Sequence, residues 1–315
     1  MRRFFRIAAL LTAAVAVGGF ATTGALASGH HAKHHAKHHG KRHLRRHHKK
    51  TTKSKVPANH GTAKPTSGVT AHGQLVHPFA LNTNQSNNWS GYNQGSLEQG
   101  GTPPKLFSSI GGHWTVPTVS QHKAGQAEYS SDWIGIGGGC IDASCTITDN
   151  TLIQTGTEQD VDASGAASYS AWWEIIPGPS MTITSMTIHP GDAMTSTISS
   201  TAPGVWTITL NDTSDGQSYT TTVPYSSTEA TAEWIQETPL ILGTNAGFAA
   251  LPNLTSPAFD LATTNGAAAN LKSSEEMDLV DSSGNVIGAP SAPDPDADGF
   301  NVCTWASTCT APSSS

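Results

Sequence analysis

The sequence predicts an all-β fold, a β-sandwich, for residues 81–315. This part of the chain is rich in Ser, Thr, Gly and β-branched residues, and short runs of alternating apolar and polar residues are separated by turn signals. No segment keeps a helical period over three turns. The roughly 235 residues are enough for one sizeable core, and β-rich domains of that length are often single.

Several strands can be placed along this part of the chain. Residues 180–189 alternate and end at a Pro-Gly-Asp turn. Residues 205–210 and 218–223 form two strands that a polar, glycine-containing turn connects. Residues 278–280 and 286–288 flank a Ser-Ser-Gly-Asn sequence, which predicts a hairpin loop.

Charge divides the chain at about residue 80. All 23 acidic residues lie at or after Glu98, whereas only three of the 17 Lys and Arg lie beyond residue 80. Residues 81–315 therefore carry a net charge of −20, and residues 1–80 carry +14. So acidic a domain repels phosphates, and we expect no nucleic-acid binding. No apolar run after the N-terminus approaches the ~20 residues of a membrane span, so we expect no membrane association after removal of the N-terminal signal.

The first 27 residues have the pattern of an export signal. Arg2, Arg3 and Arg6 form a basic region, and an apolar region follows at residues 7–19. The sequence A-L-A at residues 25–27 is a cleavage site of the A-x-A type. We therefore expect the signal peptide to be removed and the protein to be secreted.

Residues 28–80 form a basic, histidine-rich segment. Twelve of the 15 histidines precede residue 80, and large apolar residues are scarce, so this segment cannot bury enough surface to fold alone and is predicted to be disordered. It can be a solvated spacer, it can capture metal ions through its imidazoles, or it can be a pro-segment that pairs with the acidic domain. The pro-segment explains the charge segregation together with the export signal.

The four cysteines are expected to be oxidised, because export leads to a disulfide-permitting compartment. Cys140 lies close to Cys145 in the sequence, and Cys303 lies close to Cys309, so two local bridges are the simplest of three possible connectivities. A zinc site is the rival interpretation. An oxidising compartment disfavours it, and we predict no metal site.

Three strand-like segments place polar groups beside large apolar ones on one face. A sandwich core would not accept such groups unpaired, so they indicate either a solvated sheet face or a binding groove. The residues that share a face within each strand are Leu152, Gln154, Gly156 and Glu158; Ser170, Trp172 and Glu174; and Glu233, Ile235 and Glu237.

Six short motifs follow one another along residues 88–300. They are N-W-S-G-Y at 88–92, G-H-W-T-V-P at 112–117, S-D-W-I-G-I at 131–136, L-I-Q-T-G at 152–156, Y-S-A-W-W-E at 169–174 and A-E-W-I-Q-E at 232–237. In this order they resemble the glutamic peptidases of the G1 family, also called eqolisins. By this resemblance the chain is identified as a secreted, bacterial-type member.

The resemblance implies a sandwich of two antiparallel sheets, of the concanavalin A or lectin-like jelly-roll type, with a peptide groove on the concave face. It also implies hydrolysis of peptide bonds by a Gln–Glu pair, without a metal, another cofactor or a covalent intermediate. Gln154 matches the family's catalytic glutamine, and Glu237, rather than Glu233, matches its catalytic glutamate. The positions that match residues lining or bracing the family's site are Trp133, Glu158, Trp172 and Glu174.

The residue types suit this chemistry. A carboxylate such as that of Glu237 can take a proton from water and return it to the leaving amine, and the amide of Gln154 can bind an oxyanion. An unperturbed glutamate has a pKa of about 4.3, so a glutamate base suits acidic pH. The expected substrates are proteins and peptides, and the expected state is a monomer.

Three positions depart from the family's pattern. Ser170 stands where an acid often follows the tyrosine, Glu158 stands where Asp is common, and Thr238 replaces a second acid after the catalytic glutamate. These changes affect the expected hydrogen-bond network more than the reaction.

An alternative function is a carbohydrate- or polymer-binding module with a metal-binding, histidine-rich tail. It requires exposed tryptophans, such as Trp133 and Trp172, that could stack on sugar rings.

Overall fold

The structure is a computed structural model that describes residues 61–65, 70–71, 84–241 and 247–313. The predicted signal peptide and most of the predicted pro-segment lie outside these residues. The chain divides into two units, residues 1–53 and 54–315, and every described residue belongs to the second unit. Within the described ranges, no helix is long and apolar enough to cross a membrane.

The regular structure of the described residues is almost entirely β, with one turn of 3-10 helix at Ser273–Glu275. The strands are β1 (Ala63–Pro65), β2 (Thr70–Ala71), β3 (Asn84–Ser86), β4 (Trp89–Gly95), β5 (Ser109–Thr115), β6 (Val119–Ser120), β7 (Ser131–Gly137), β8 (Leu152–Val161), β9 (Ala167–Ile175), β10 (Met181–Ile183), β11 (Ala193–Ala202), β12 (Val205–Asp212), β13 (Gln217–Pro224), β14 (Thr231–Glu237), β15 (Leu240–Ile241), β16 (Gly247–Phe248), β17 (Asn253–Leu254), β18 (Ala258–Thr264), β19 (Ala267–Ala268), β20 (Glu276–Val280), β21 (Val286–Pro290) and β22 (Phe300–Thr304).

The strands form two large sheets. The first sheet has the order β1–β10–β9–β8–β7–β14–β4–β20–β21–β22, and β3 pairs with β20 in parallel. The second sheet has the order β13–β12–β11–β5–β18, with β19 and β22 beside β18. Because β22 pairs with both β21 and β18, it joins the sheets along one edge. The predicted β-sandwich of antiparallel sheets is confirmed.

The second sheet shows why the alternating runs form strands. In β12, Trp206, Ile208 and Leu210 are buried, while Thr207 and Thr209 lie on the other face. The two threonines lie opposite threonines of β13 and share hydroxyl hydrogen bonds of 3.1 and 3.2 Å with them. One face thus supplies the core, and the other carries polar cross-strand pairs.

The main core lies between the sheets. The side chains that the first sheet contributes to it include Ile134, Ile136, Ile153 and Trp234, and those of the second include Trp114, Ile198, Trp206, Ile208, Leu210 and Phe259. A separate apolar cluster lies on the opposite face of the first sheet and is formed by Trp89, Trp133, Cys140, Leu152, Trp172, Ile235 and Met277. The first sheet is therefore buried on both faces.

Two segments differ from their sequence predictions. The strand predicted at residues 180–189 is regular only in β10, because a turn follows at Thr184 and Ser185. Strands β1 and β2 lie within the segment predicted to be disordered. They gain backbone partners that an isolated tail lacks, since β1 pairs with β10 and β2 pairs with β15.

Both local disulfides are formed. Cys140 is bonded to Cys145 in the connection between β7 and β8, and Cys303 of β22 is bonded to Cys309 in the segment that follows. The first bridge packs on the apolar cluster around Trp89, because the Cys140 side chain belongs to that cluster.

Candidate active site

Three neighbouring strands place the predicted site residues on one sheet face. Strand β7 lies between β14 and β8, so residues of both partners can be located by their opposites on β7. Gln154 of β8 lies opposite Gly135 of β7. Glu237 of β14 lies opposite Ser131, which precedes Gly135 by four residues on β7. In a flat sheet this offset amounts to about 10 Å across the strands and about 13 Å along them, a diagonal that two long side chains can partly bridge.

The carboxylate of Glu237 is held by two donors. The indole Nε1–H of Trp133 donates to Oε2 at 2.8 Å, and the amide Nδ2–H of Asn88 donates to Oε1 at 3.3 Å. The Asn88 amide is itself oriented, because its Oδ1 accepts from the Ser86 hydroxyl at 2.8 Å. Since Glu237 is completely buried, donors of this kind are the partners that a carboxylate needs there.

The side chain of Gln154 is oriented by Glu174, its direct neighbour on β9. The Gln154 Nε2–H donates to Glu174 Oε2 at 3.1 Å, which fixes which end of the amide faces the glutamate. Its second N–H remains for another acceptor. The Gln154 Oε1 is buried and has no hydrogen-bonding partner among the described residues. The amide can therefore both donate to and accept from a bound molecule.

The indole of Trp133 lies along β7 between these two groups. Its Nε1 end contacts Glu237, and its opposite end reaches Gly135, where an added Cβ would lie 2.8 Å from Trp133 Cζ3. Gly156 lies opposite Trp133 on β8, and a Cβ there would lie 2.5 Å from Trp133 Cβ and 2.2 Å from the carbonyl oxygen of Asp132. Glycine at both positions allows the indole to lie flat against the sheet and form a floor between Gln154 and Glu237.

The remaining predicted site residues extend this face. Trp172 of β9 lies opposite Gly156, so it belongs to the same row as Trp133. Glu158 lies opposite Ser131 and Ser170, and the Ser170 hydroxyl donates to its Oε2 at 3.2 Å. The serine that departs from the family pattern therefore donates a hydrogen bond to the glutamate that also departs from it.

Asn88 was not singled out from the sequence, although the structure bonds it to Glu237. It belongs to the N-W-S-G-Y motif at residues 88–92, and this membership is the available sequence signal. Its contact with Glu237 depends on the pairing of β4 with β14, which joins residues about 150 positions apart and is not visible in a local pattern.

The site residues are closed off from solvent. Gln154, Glu237 and Trp133 are 0% exposed, Trp172 is 1% exposed, and Glu158 is 8% exposed. The expectation that Trp133 and Trp172 are exposed for stacking on sugar rings is therefore wrong. Side-chain alternation located the correct face but did not indicate that this face is covered.

Buried carboxyl groups surround the site. Burial raises the pKa of Glu233, with the Thr231 hydroxyl opposing the shift and the charge of Asp149 adding to it. Burial also raises the pKa of Asp132, against the effect of the Gln159 amide, which donates to it at 3.0 Å. For Asp160, burial and the charge of Glu158 both raise the pKa. These groups favour the neutral form in weakly acidic solution.

Two side-chain clusters of the described residues have the spacing of cation ligands. One is His189 with Asp192 and Asp215, and the other is Asp260 with Asp294 and Asp298. Neither contains a residue of the site around Gln154 and Glu237.

Comparisons with known proteins agree with this architecture. The Peptidase A4 family model matches residues 87–296. Aspergillopepsin-2 of Aspergillus niger is 28% identical over 152 residues, which are 42% of this chain and 51% of that protein, so the chain spans about half the length of this curated relative.

Solved structures show the same fold. Scytalido-glutamic peptidase with a transition state analog inhibitor has a TM-score of 0.52 and 17% identity, covering 69% of this chain and 98% of that one. A second structure of that peptidase, with a peptide-based transition state analog, has a TM-score of 0.51 and 18% identity at the same coverage.

The fold and the site define a β-sandwich protein of the peptidase type, with an amide, carboxylates and indoles gathered on one sheet. The chain belongs to the Peptidase A4 family, because the family model matches most of its length. The resemblance to the glutamic peptidases, predicted from six motifs, is confirmed.

Proposed function

We propose that this protein is a secreted, acid-active endopeptidase in which Gln154 and Glu237 hydrolyse a peptide bond with an activated water. The observation that carries the proposal is the geometry of one sheet face. It presents a carboxylate held by two donors, and a glutamine amide with one N–H and a buried oxygen still available.

Glu237 is the proposed base and then the proposed acid. Its carboxylate takes a proton from water, and the water oxygen bonds to the carbonyl carbon of the substrate. When the tetrahedral intermediate collapses, the carbon–nitrogen bond breaks, and Glu237 returns the proton to the leaving amine. The donors Trp133 and Asn88 hold the carboxylate in position through both steps.

Gln154 is proposed to orient the water and to stabilise the oxyanion. Its Oε1 can accept a hydrogen bond from the water, and its second Nε2–H can donate to the oxygen that becomes negative. Glu174 is a positioning residue in this scheme, because its contact at 3.1 Å determines which way the amide faces.

We further propose that the described state is the proenzyme, with residues 28–80 as the pro-segment. Substrates cannot reach side chains that are 0% exposed, so the face must open before catalysis. Strand β1 pairs with β10, beside the strand that carries Glu174, and β2 pairs with β15, which follows Glu237 by three residues. Residues 28–80 carry a net charge of +11, opposite in sign to the −20 of residues 81–315.

Release of the pro-segment is expected to follow the titration of carboxylates. Below about pH 4.5 the acidic domain loses negative charge, so its attraction for a basic segment weakens, although histidines are then fully charged. Binding of a residue 28–80 peptide to the mature domain, measured at pH 7, 5.5 and 3.5, should be weakest at pH 3.5. Strongest binding at pH 3.5 would contradict this mechanism.

The proposed activity is tested by casein digestion across pH 2–7 with the Gln154→Met variant alongside. Methionine keeps the length of the side chain but cannot donate to the oxyanion. We expect hydrolysis near pH 3–4 by the wild type and a loss of at least about 100-fold in the variant. Equal digestion by both proteins would remove Gln154 from the mechanism.

A further inference from the structure

A cavity of about 950 Å³ lies at the Glu237 end of the first sheet. Thr238, which directly follows Glu237, lines it, and so does Asn87, which directly precedes Asn88. The backbone N–H of Thr238 donates to the carbonyl oxygen of Asn88 at 2.8 Å, so the cavity wall and the two residues form one connected unit. The cavity therefore adjoins the backbone next to the proposed base, although Glu237 itself does not line it.

Both acidic residues that line the cavity are already engaged. The two oxygens of Glu128 accept the backbone N–H groups of His122 at 2.6 Å and Lys123 at 2.8 Å. The Oδ1 of Asp281 accepts two backbone N–H groups and its Oδ2 accepts the Asn285 amide, and these hydrogen bonds lower the pKa of Asp281. Each carboxylate is therefore held within its own loop by these donors.

The basic side chains among the lining residues are Lys123 and His122. Residues 81–315 contain only three lysines and three histidines, so the placement of one of each at this cavity sets it apart from an otherwise acidic domain. Lys123 is exposed and lies at the turn that Glu128 fixes.

The hydrogen bonds around His122 define which ring nitrogen carries the proton. The Asn253 Nδ2–H donates to the carbonyl oxygen of Gln121 at 3.0 Å, so Asn253 presents its Oδ1 to His122 Nδ1 at 3.0 Å. Nδ1 therefore carries the ring proton and donates to Asn253. The ring is stacked on Trp305 at 3.6 Å with an interplanar angle of 9°, which holds it in place.

We propose that this cavity is a specificity site that binds a carboxylate of the peptide substrate, with Lys123 and His122 as the recognising groups. The proposal rests on the proposed peptidase function and adds a substrate class to it, namely peptides that carry an acidic residue, or their C-terminal carboxylate, on the Glu237 side of the scissile bond. The apolar wall that includes Trp305 and Phe248 packs against the remainder of that segment.

The test uses the full-length protein after acid activation. Its substrates are pairs of peptides that differ only by Glu or Gln at one position, and this position is moved in turn to each site on both sides of the scissile bond. Two further versions of each peptide, with a free or an amidated C-terminus, distinguish a side chain from the terminal carboxylate. At pH 5, where a glutamate side chain is mostly ionised, we expect kcat/KM to be about two- to fivefold higher for the charged peptide at one position. At pH 3 the preference should disappear, because the substrate carboxyl is then neutral.

Lys123→Gln should abolish this preference, and Lys105→Gln, on a lysine that does not line the cavity, should retain it. Equal kcat/KM for all charged and neutral pairs in an active wild type would overturn the proposal. If the wild type cleaves no peptide, the proposed function has failed. Binding of the same peptide pairs, measured by fluorescence anisotropy, then tests whether the cavity binds a carboxylate. Tighter binding of the charged peptide supports the cavity proposal, and equal binding overturns it.

Discussion

Glu233 provides a direct test of how the fold depends on pH. It is 0% exposed on the same sheet face as Glu237. Burial raises its pKa above the ordinary value of 4.5. Above pH 4.5 the unfolded chain releases this proton, whereas the folded chain retains it. The neutral carboxyl therefore contributes its full stability below pH 4.5, and this contribution is lost as the pH rises.

The size of the effect follows from linkage. Each carboxyl that is neutral in the folded state and ionised in the unfolded state lowers the free energy of unfolding by about 1.4 kcal/mol per pH unit. Asp132 is also 0% exposed and has a raised pKa, so stability should fall by about 3 kcal/mol per pH unit wherever both groups are neutral in the folded protein and ionised in the unfolded chain. The fold should therefore be more stable in weak acid than at neutral pH.

The perturbation is Glu233→Gln, which keeps the shape of the neutral acid and cannot ionise. Urea unfolding at pH 5.0, 5.5 and 6.0 should show a slope smaller than the wild-type slope by about 1.4 kcal/mol per unit. Asp162→Asn is the matched control, because the hydrogen bonds of this exposed carboxylate lower its pKa and it is ionised in both states above pH 5. An unchanged slope in Glu233→Gln would refute the assignment of a neutral buried glutamate.

Three further outcomes follow from single contacts. Trp133→Phe removes the 2.8 Å donor to the proposed base and should lower kcat by about 10- to 100-fold with little change in KM, measured with a fluorogenic peptide. Gly156→Ala should destabilise the protein by about 1–3 kcal/mol in urea unfolding, because the added Cβ would lie 2.2 Å from a backbone oxygen. Gly247→Ala is the control, and it should change stability by less than about 0.5 kcal/mol because an added Cβ there would have no neighbour within 4 Å. Replacing Cys140 and Cys145 together with Ser should lower the free energy of unfolding by about 2 kcal/mol, since their bridge closes a short loop; no loss in oxidised protein would contradict this.

Much of the fold could be predicted because its signals are local. The alternation in residues 205–210 and 218–223 and the hairpin at Ser282–Asn285 depend on neighbouring residues, and each appears in the structure as β12, β13 and the turn between β20 and β21. The same two-residue period correctly placed Gln154, Glu158 and their neighbours on one face.

The covering of that face could not be predicted in this way. A strand pattern predicts that a carboxylate such as Glu237 is exposed. Its donors are Asn88, just before β4, and Trp133 of β7, and both are far away in sequence. The short strands β1 and β2 are missed for a related reason. Their order comes from pairing with β10 and β15 and not from any apolar pattern of their own.

The most direct test of the proposed mechanism compares two glutamates of one strand. Glu237 and Glu233 lie on the same face of β14 and are both 0% exposed. They differ in that two side chains donate hydrogen bonds to Glu237, while burial raises the pKa of Glu233. We measure kcat/KM for a casein-derived peptide at pH 3.5 with Glu237→Gln and Glu233→Gln, after circular dichroism has shown that both variants are folded. Loss of at least about 10³-fold in Glu237→Gln, with activity within a few-fold of wild type in Glu233→Gln, is the predicted result. Retained activity in a folded Glu237→Gln would contradict its role as the base.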